Sequence, residues 1–284
     1  MHSSAPRLLG SSILIATMAL WSGSANATCP NGLTTTSCNN ICTVTGTTFA
    51  CDTDHAGSTT QGATAWIVTN YSASMVSAWG TDNTGATFCC EYSASAISIA
   101  SLTGSDTASD VLSFNWQQYD LTNASGYTLA GTINGLDGDD TLIGSNSTSA
   151  SYSEALNAND GCDTVFGGAG GESIYGGNSD CWSGLSGPDD LHGESGDDAI
   201  YGEGGKDNLY GGPGDDILWG GAGPDLICGE DGDDTLSGLG GLDTLWGGNG
   251  ADTNNGGAEN DSCGSAMMDY FCEVPLYSNP GCDN

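Results

Sequence analysis

Gly184-Leu-Ser-Gly-Pro-Asp189-Asp-Leu191-His is followed without a gap by Gly193-Glu-Ser-Gly-Asp-Asp198-Ala-Ile200-Tyr and Gly202-Glu-Gly-Gly-Lys-Asp207-Asn-Leu209-Tyr. The same nine-residue period runs on through Asp216, Asp225, Asp234, Asp243, Asp252 and Asp261 to Gly264. Position one is Gly and position six is Asp in all nine copies. Position four is Gly except at Glu259, and position eight is Leu or Ile except at Asn254 and Cys263. Glycines at positions one and four permit positive φ and a tight turn. The three residues after the Asp then form a short strand, with position eight inside and positions seven and nine outside. Position nine holds Tyr201, Tyr210, Trp219 and Trp246, which suit an outer face.

Two such units make one coil of eighteen residues, with a strand on each side and a turn at each end. Stacked coils become parallel strands ~4.8 Å apart. One end of the stack then carries Asp189, Asp207, Asp225, Asp243 and Asp261, and the other carries Asp198, Asp216, Asp234 and Asp252. Carboxylates at that spacing repel by about 0.9 kcal/mol in water and ~3.5 kcal/mol at an effective dielectric of 20. One inward aliphatic per unit contributes about 1.5–3 kcal/mol, which is small against the backbone entropy of nine ordered residues. The array is therefore expected to be marginal or unfolded without a cation between the turns. Oxygen ligands on flexible turns, with no His or Cys at position six, point to Ca²⁺. Mg²⁺ suits the site less, because it demands octahedral geometry and retains water.

Outward from this block the copies become irregular. Gly135-Leu-Asp-Gly-Asp-Asp140-Thr-Leu142-Ile is a good copy, followed by a Ser-rich insertion over 144–157. Copies resume with Asp163 and Val165, then with Glu172 and Ile174, where Glu stands in place of Asp. The unit 176–183 is one residue short and is placed to break the stack. Residues 93–134 echo the repeat at Asp110-Val-Leu112 and read as irregular coils capping one end, since the open ends of repeat proteins need protection. Residues 265–284, with Cys272 and Cys282, read as a cap on the other end, tied through Cys228 and Cys263.

Residues 1–27 read as a secretory signal: Arg7, an apolar run Ile13–Trp21, and Ala25-Asn26-Ala27 before the cut. That run is too short to span a bilayer, and no later segment reads as a membrane span. Residues 28–92 are Thr- and Ser-rich and hold six cysteines, with alternating stretches that suggest β-strands. The full chain holds twelve cysteines, an even count that reads as disulfides in an exported protein. Six cysteines allow fifteen pairings, which spacing does not sort. Trp66, Tyr71, Trp79 and Phe88 could form a core or a carbohydrate platform.

The chain carries 36 acidic residues against two Lys and Arg, a formal charge of −34. Nucleic acid is excluded as a partner, because phosphate binding needs clustered Lys and Arg. Anionic membrane surfaces are disfavoured on the same ground. Zinc at Cys38-x-x-x-Cys42 is disfavoured by the export signal and by the scarcity of histidines, only His55 and His192 lying beyond residue 27.

These repeats resemble the RTX, or haemolysin-type, calcium-binding nonapeptide G-G-x-G-x-D-x-U-x, most closely at Gly211-Gly-Pro-Gly-Asp-Asp216-Ile-Leu218-Trp. The resemblance covers residues 135–264 and implies a parallel β-roll; with the strands and cysteines read over 28–92, the chain is expected to be all-β, the roll preceded by a small disulfide-rich β domain. It implies several Ca²⁺ ions in the turns. It also implies position-six ligands at Asp140, Asp163, Asp189, Asp198, Asp207, Asp216, Asp225, Asp234, Asp243, Asp252 and Asp261.

Neither H-E-x-x-H nor G-x-S-x-G occurs. His192 reads as an exposed strand residue, and His55 as a surface residue among acids. The chain is therefore expected to be a secreted, extracellular calcium-binding protein with a structural or matrix role, and not an enzyme. An alternative is an adhesin in which residues 28–92 bind glycans or a cell surface and the β-roll is a stalk. A calcium-dependent secreted hydrolase is a third reading.

Overall fold

The computed structural model describes residues 41–45, 48–53, 64–70, 75–84, 86–93, 99–104, 109–114, 130–145, 154–178, 189–258, 260–264 and 274–275. Residues 1–27, read above as a secretory signal, His55, Tyr71 and the side chains of Trp66, Trp79 and Phe88 lie outside the described residues. So does most of the tail 265–284.

Every regular element among the described residues is a β-strand, and the strands form two sheets. The ten-stranded sheet runs from Cys42–Thr45 at one edge to Thr253–Asn255 at the other. The twelve-stranded sheet runs from Thr87–Ser93 to Val274–Pro275. The chain alternates between the sheets throughout the repeat block, which makes it a parallel β-roll. The register is that of an eighteen-residue coil: Ile200 lies beside Leu218, and Leu218 beside Leu236. On the opposite sheet, Leu209 lies beside Ile227 and Ile227 beside Leu245.

Position eight builds the core. Leu191, Leu209, Ile227 and Leu245 face Ile200, Leu218 and Leu236 across the roll, and all are fully buried. The column continues through Leu156, Leu142, Ile133, Leu112 and Leu102 to Phe49, so one hydrophobic core serves the whole described chain. At the far end position eight becomes Asn254 and Cys263. Asn254 Nδ2 donates to the Gly264 carbonyl at 3.2 Å, so the core column ends on a partnered polar group.

The strands are longer than the three residues expected. Asp190–Ser195, Ala199–Gly204 and Asn208–Pro213 each span six, running from position seven through position three of the next unit. The position-one glycine is therefore an inward strand residue and not a turn residue. Gly193, Gly202, Gly211 and Gly220 lie outside the positive-φ set. A Cβ on Gly193 would meet Asp198 Oδ2 at 2.5 Å and the Gly211 carbonyl at 2.6 Å, so closeness selects Gly there. Positive φ falls instead at position four, as at Gly214 (φ 153), and at position two.

Position two is notable because non-glycine residues take it. Glu194, Glu203, Glu230 and Leu239 have φ of 74, 71, 78 and 72. Along each turn row they alternate with glycines of wider φ: Glu203 (71), Gly221 (119), Leu239 (72), Gly257 (105). Each such glycine sits against the carbonyl oxygen of the non-glycine residue one coil before it, as Gly221 does on Glu203.

The amino-terminal strands extend the same sheets. Thr48–Asp52 pairs in parallel with Ile99–Thr103, and Thr64–Asn70 with Val111–Phe114. Beyond them the pairing turns antiparallel, in the hairpin Cys42–Asp52 and in the meander of Thr64–Asn70, Met75–Thr81 and Thr87–Ser93. These hairpins cover the edge that the parallel stack would leave open. Cys42 and Cys51 face each other in the first hairpin and are disulfide-bonded. Cys89, Cys90, Cys162, Cys228 and Cys263 are also in disulfides, and no cysteine among the described residues is free.

Position nine forms stacks on the outer faces. Tyr175, Tyr201 and Trp219 pile ring on ring at 4.8 and 4.6 Å. On the other sheet, His192 is sandwiched between Phe166 at 5.1 Å and Tyr210 at 4.7 Å. His192 is thus not the exposed strand residue expected, since its side chain is only 13 % exposed and its Nε2 lies 3.5 Å from Asp190. The parallel register places position-nine rings one strand spacing apart, and stacking hides their faces from water.

Candidate metal centre

The position-six carboxylates form two buried rows, one on each end of the roll. Each side chain folds back over its own turn while its Oδ1 accepts the backbone N–H of the position-six residue one coil earlier. In the first row Asp110 donates to Asp140 (2.7 Å), Asp140 to Asp163 (2.7 Å) and Asp163 to Asp189 (2.9 Å). The row goes on through Asp207, Asp225, Asp243 and Asp261 at 2.9–3.2 Å. In the second row Glu172 donates to Asp198 (2.7 Å), followed by Asp216, Asp234 and Asp252. All eleven aspartates named from the motif lie in these rows, and none is more than 7 % exposed.

The shortened unit does not break the stack. The 26-residue steps from Asp163 to Asp189 and from Glu172 to Asp198 keep the same hydrogen bond as the 18-residue steps. The rows also reach further than the motif. Asp110, Glu154 and Glu172 are fully or almost fully buried at the start of a strand, Asp110 and Glu172 just before it and Glu154 as its first residue. The echo Asp110-Val-Leu112 carried the signal for the first. Glu154-Ala-Leu156 and Glu172-Ser-Ile174 carry the same acid-x-aliphatic pattern, hidden by the longer side chain.

Hydrogen bonding satisfies only half of seven of these carboxylates. Oδ2 of Asp140, Asp163, Asp198, Asp207, Asp216, Asp225 and Asp234 is buried and accepts no hydrogen bond. Burial is the largest influence on their acidity. It pushes Asp140 up to about 9, Asp163, Asp207 and Asp216 to about 8, and Asp225 and Asp234 to about 7. The neighbouring carboxylates add to the rise, and the backbone hydrogen bond opposes it. Desolvation, more than the mutual repulsion expected from the spacing, is thus the main cost of ionising the rows.

A buried, half-satisfied carboxylate is costly unless a cation completes it. The donor set is all oxygen. Among the described residues no three His, Cys, Asp or Glu side chains converge on one point. A cation here would therefore take carboxylate oxygens from the rows and the rest from turn carbonyls, a mixture that suits Ca²⁺ and not zinc.

Comparison with protein families agrees with this chemistry. Residues 125–147, 150–180 and, in overlapping matches, 183–263 fit the RTX calcium-binding nonapeptide repeat (4 copies). The chain carries RTX repeats. No curated protein matches it by sequence. The RTX repeat is a calcium-binding structural unit and not a catalytic one. The family fit covers both the regular coils and the irregular ones from residue 125 to residue 180. Among the described residues no helix is long and apolar enough to cross a membrane.

Proposed function

We propose that this chain is a secreted calcium-binding β-roll with a structural role outside the cell, in which Ca²⁺ held between stacked turns drives folding. The ligands are Asp140, Asp163, Asp189, Asp198, Asp207, Asp216, Asp225, Asp234, Asp243, Asp252 and Asp261, together with turn carbonyls. One observation carries this reading: two rows of buried carboxylates in which Oδ1 accepts a hydrogen bond while Oδ2 of Asp140, Asp163, Asp198, Asp207, Asp216, Asp225 and Asp234 is buried without a donor. The sequence of residues 1–27 supports export, and disulfides suit an oxidising compartment. Extracellular Ca²⁺ is abundant enough for flexible sites with dissociation constants of roughly 10⁻⁶ to 10⁻³ M.

The test is a Ca²⁺ titration of the purified full chain, followed by circular dichroism. The expected result is little β-structure in chelator and a cooperative gain as Ca²⁺ is added. A protein equally compact and heat-resistant in EDTA would overturn the proposal.

A further inference from the structure

The seam between the irregular and the regular coils holds an acid pair unlike any other step in the rows. Glu172 occupies a position-six slot, since its backbone N–H donates to Asp198 Oδ1 at 2.7 Å and its carbonyl accepts the Ala199 N–H at 2.8 Å. Its extra methylene changes where the charge sits. In regular units, a Cβ built on the position-one glycine would almost touch the Asp Oδ2, as Gly193 would touch Asp198 at 2.5 Å. In this unit the same Cβ, on Gly167, would lie 3.4 Å from Glu172 Oε2. The Glu172 carboxylate thus sits further from its own position-one glycine, and it lies close enough to Asp198 for the two charges to act on each other.

No donor among the described residues satisfies it there. Glu172 is 2 % exposed, and neither Oε1 nor Oε2 receives a hydrogen bond from a protein donor. Asp198 Oδ2 is buried and equally without a donor. The one proton the two groups could share is their own, and Glu154 adds a further negative charge nearby. The turn residues beside Glu172, Gly168 to Gly171, bring no positive charge. Two facing buried carboxylates with three donor-less oxygens are stable when a divalent cation lies between them.

We infer that Glu172 and Asp198 together hold a divalent cation in a two-carboxylate site that clamps the irregular coils onto the regular roll. The inference rests on the reading of the rows as Ca²⁺ ligands. It adds a ligand outside the Asp motif, and a site with three donor-less carboxylate oxygens where the gap between Asp198 and Asp216 has two. More carboxylate oxygens open to the ion tighten a Ca²⁺ site, so this ion is the last to leave on dilution of Ca²⁺. The position gives it a mechanical task. Between Glu172 and Asp198 the chain makes a 26-residue excursion where regular coils use 18, and the cation ties that longer loop at its base.

The test uses the full chain loaded with Ca²⁺, with stoichiometry and affinity read by calorimetry and by Tb³⁺ replacement. Glu172→Gln keeps shape and removes charge. It is expected to lose the tightest equivalent, or to weaken it on the order of tenfold or more, while the remaining equivalents bind as before. Glu172→Asp restores an ordinary step and should regain the equivalent at the affinity of the others. Unchanged number and affinity in Glu172→Gln would overturn the inference. So would a uniform weakening of all sites equal to that of Glu172→Asp. A wild-type chain that binds no Ca²⁺ would instead sink the reading of the rows as a whole. Circular dichroism and thermal melts at saturating Ca²⁺ check that both variants fold as well as the wild type.

Discussion

The regular coils from Asp189 to Gly264 and the irregular ones from Gly104 to Asn178 reach the same carboxylate geometry by different spacings. In the regular block each position-six residue is bonded to the one eighteen residues on, at 2.7–3.2 Å. In the irregular part the steps are 30, 23 and 26 residues, yet the bonds are 2.7–2.9 Å. The strand register holds the acid in place across these unequal spacings. The row is thus a property of stacked strands, and a fixed period is one way of producing it. A second contrast sets the two parts apart. The irregular coils are joined to antiparallel hairpins and the Cys42–Cys51 disulfide, whereas the regular coils combine parallel pairing, one aliphatic column and buried acids, with disulfides at Cys228 and Cys263.

The largest effect expected from this contrast is regional unfolding on chelation. With EDTA, amide exchange over 189–264 should approach that of an unfolded chain. Amides of Cys42–Asp52 and Ile99–Thr103 should stay protected longer, because a disulfide and a shared core tie them together. Uniform exchange along the chain would erase the distinction.

Next in size is Gly211→Ala. The new Cβ meets Asp216 Oδ2 and the Gly229 carbonyl, neither a flexible chain end. Overpacking of this kind costs about 1–3 kcal/mol. Gly240→Ala is its control, since the nearest atom there, the Gly221 carbonyl oxygen, lies 3.8 Å away. Melting curves in Ca²⁺ should separate the two clearly, and equal melting points would count against the close-approach role of position one.

The rows also predict an unusual response to pH. Burial holds Asp140, Asp163, Asp207 and Asp216 at about 8 to 9 when no cation is present, against about 4 in an unfolded chain. Between those values the unfolded chain is ionised while the folded one keeps its protons. The metal-free roll should therefore be most stable at pH 4 and lose stability as pH rises through 7 to 9. With Ca²⁺ the trend should invert, because binding requires deprotonated ligands. Denaturant midpoints at pH 4.5 and 8.5, with and without Ca²⁺, read both signs.

Smaller still is the difference between the buried and exposed acids of one turn. Asp216→Ala should weaken the Ca²⁺ transition clearly, since Asp216 is buried in the row. Asp197→Ala removes only an exposed acceptor for the Asp215 N–H at 3.0 Å and should shift the midpoint little. The smallest effect is Glu203→Gly, which relieves a left-handed backbone but adds chain entropy. The two nearly cancel, to within about 1 kcal/mol.

Much of this was legible in the residues. Leu at position eight, Gly at position one and Asp at position six repeat every nine residues, so alternation and turn chemistry alone give the coil, its core column and two acid rows. Glu172 was harder to read, because replacing Asp by Glu looks like decay of the motif. Only the stacked coil reveals that the longer side chain meets Asp198. His192 was misread as exposed for a related reason, since its cover comes from Phe166 and Tyr210 in neighbouring coils, 26 and 18 residues away.

What the amino-acid sequence determined by itself is everything local and periodic: the turns, the inward aliphatic, the carboxylate in each unit and the charge that demands a cation. What the tertiary structure decided is which units become neighbours once loops of unequal length are excluded from the stack. Strand pairing fixes that register through backbone hydrogen bonds and a shared core, forces that act between coils and leave no mark on a single repeat. The continuity of the rows across the seam, the alternation at position two and the meeting of Glu172 with Asp198 all belong to that second level.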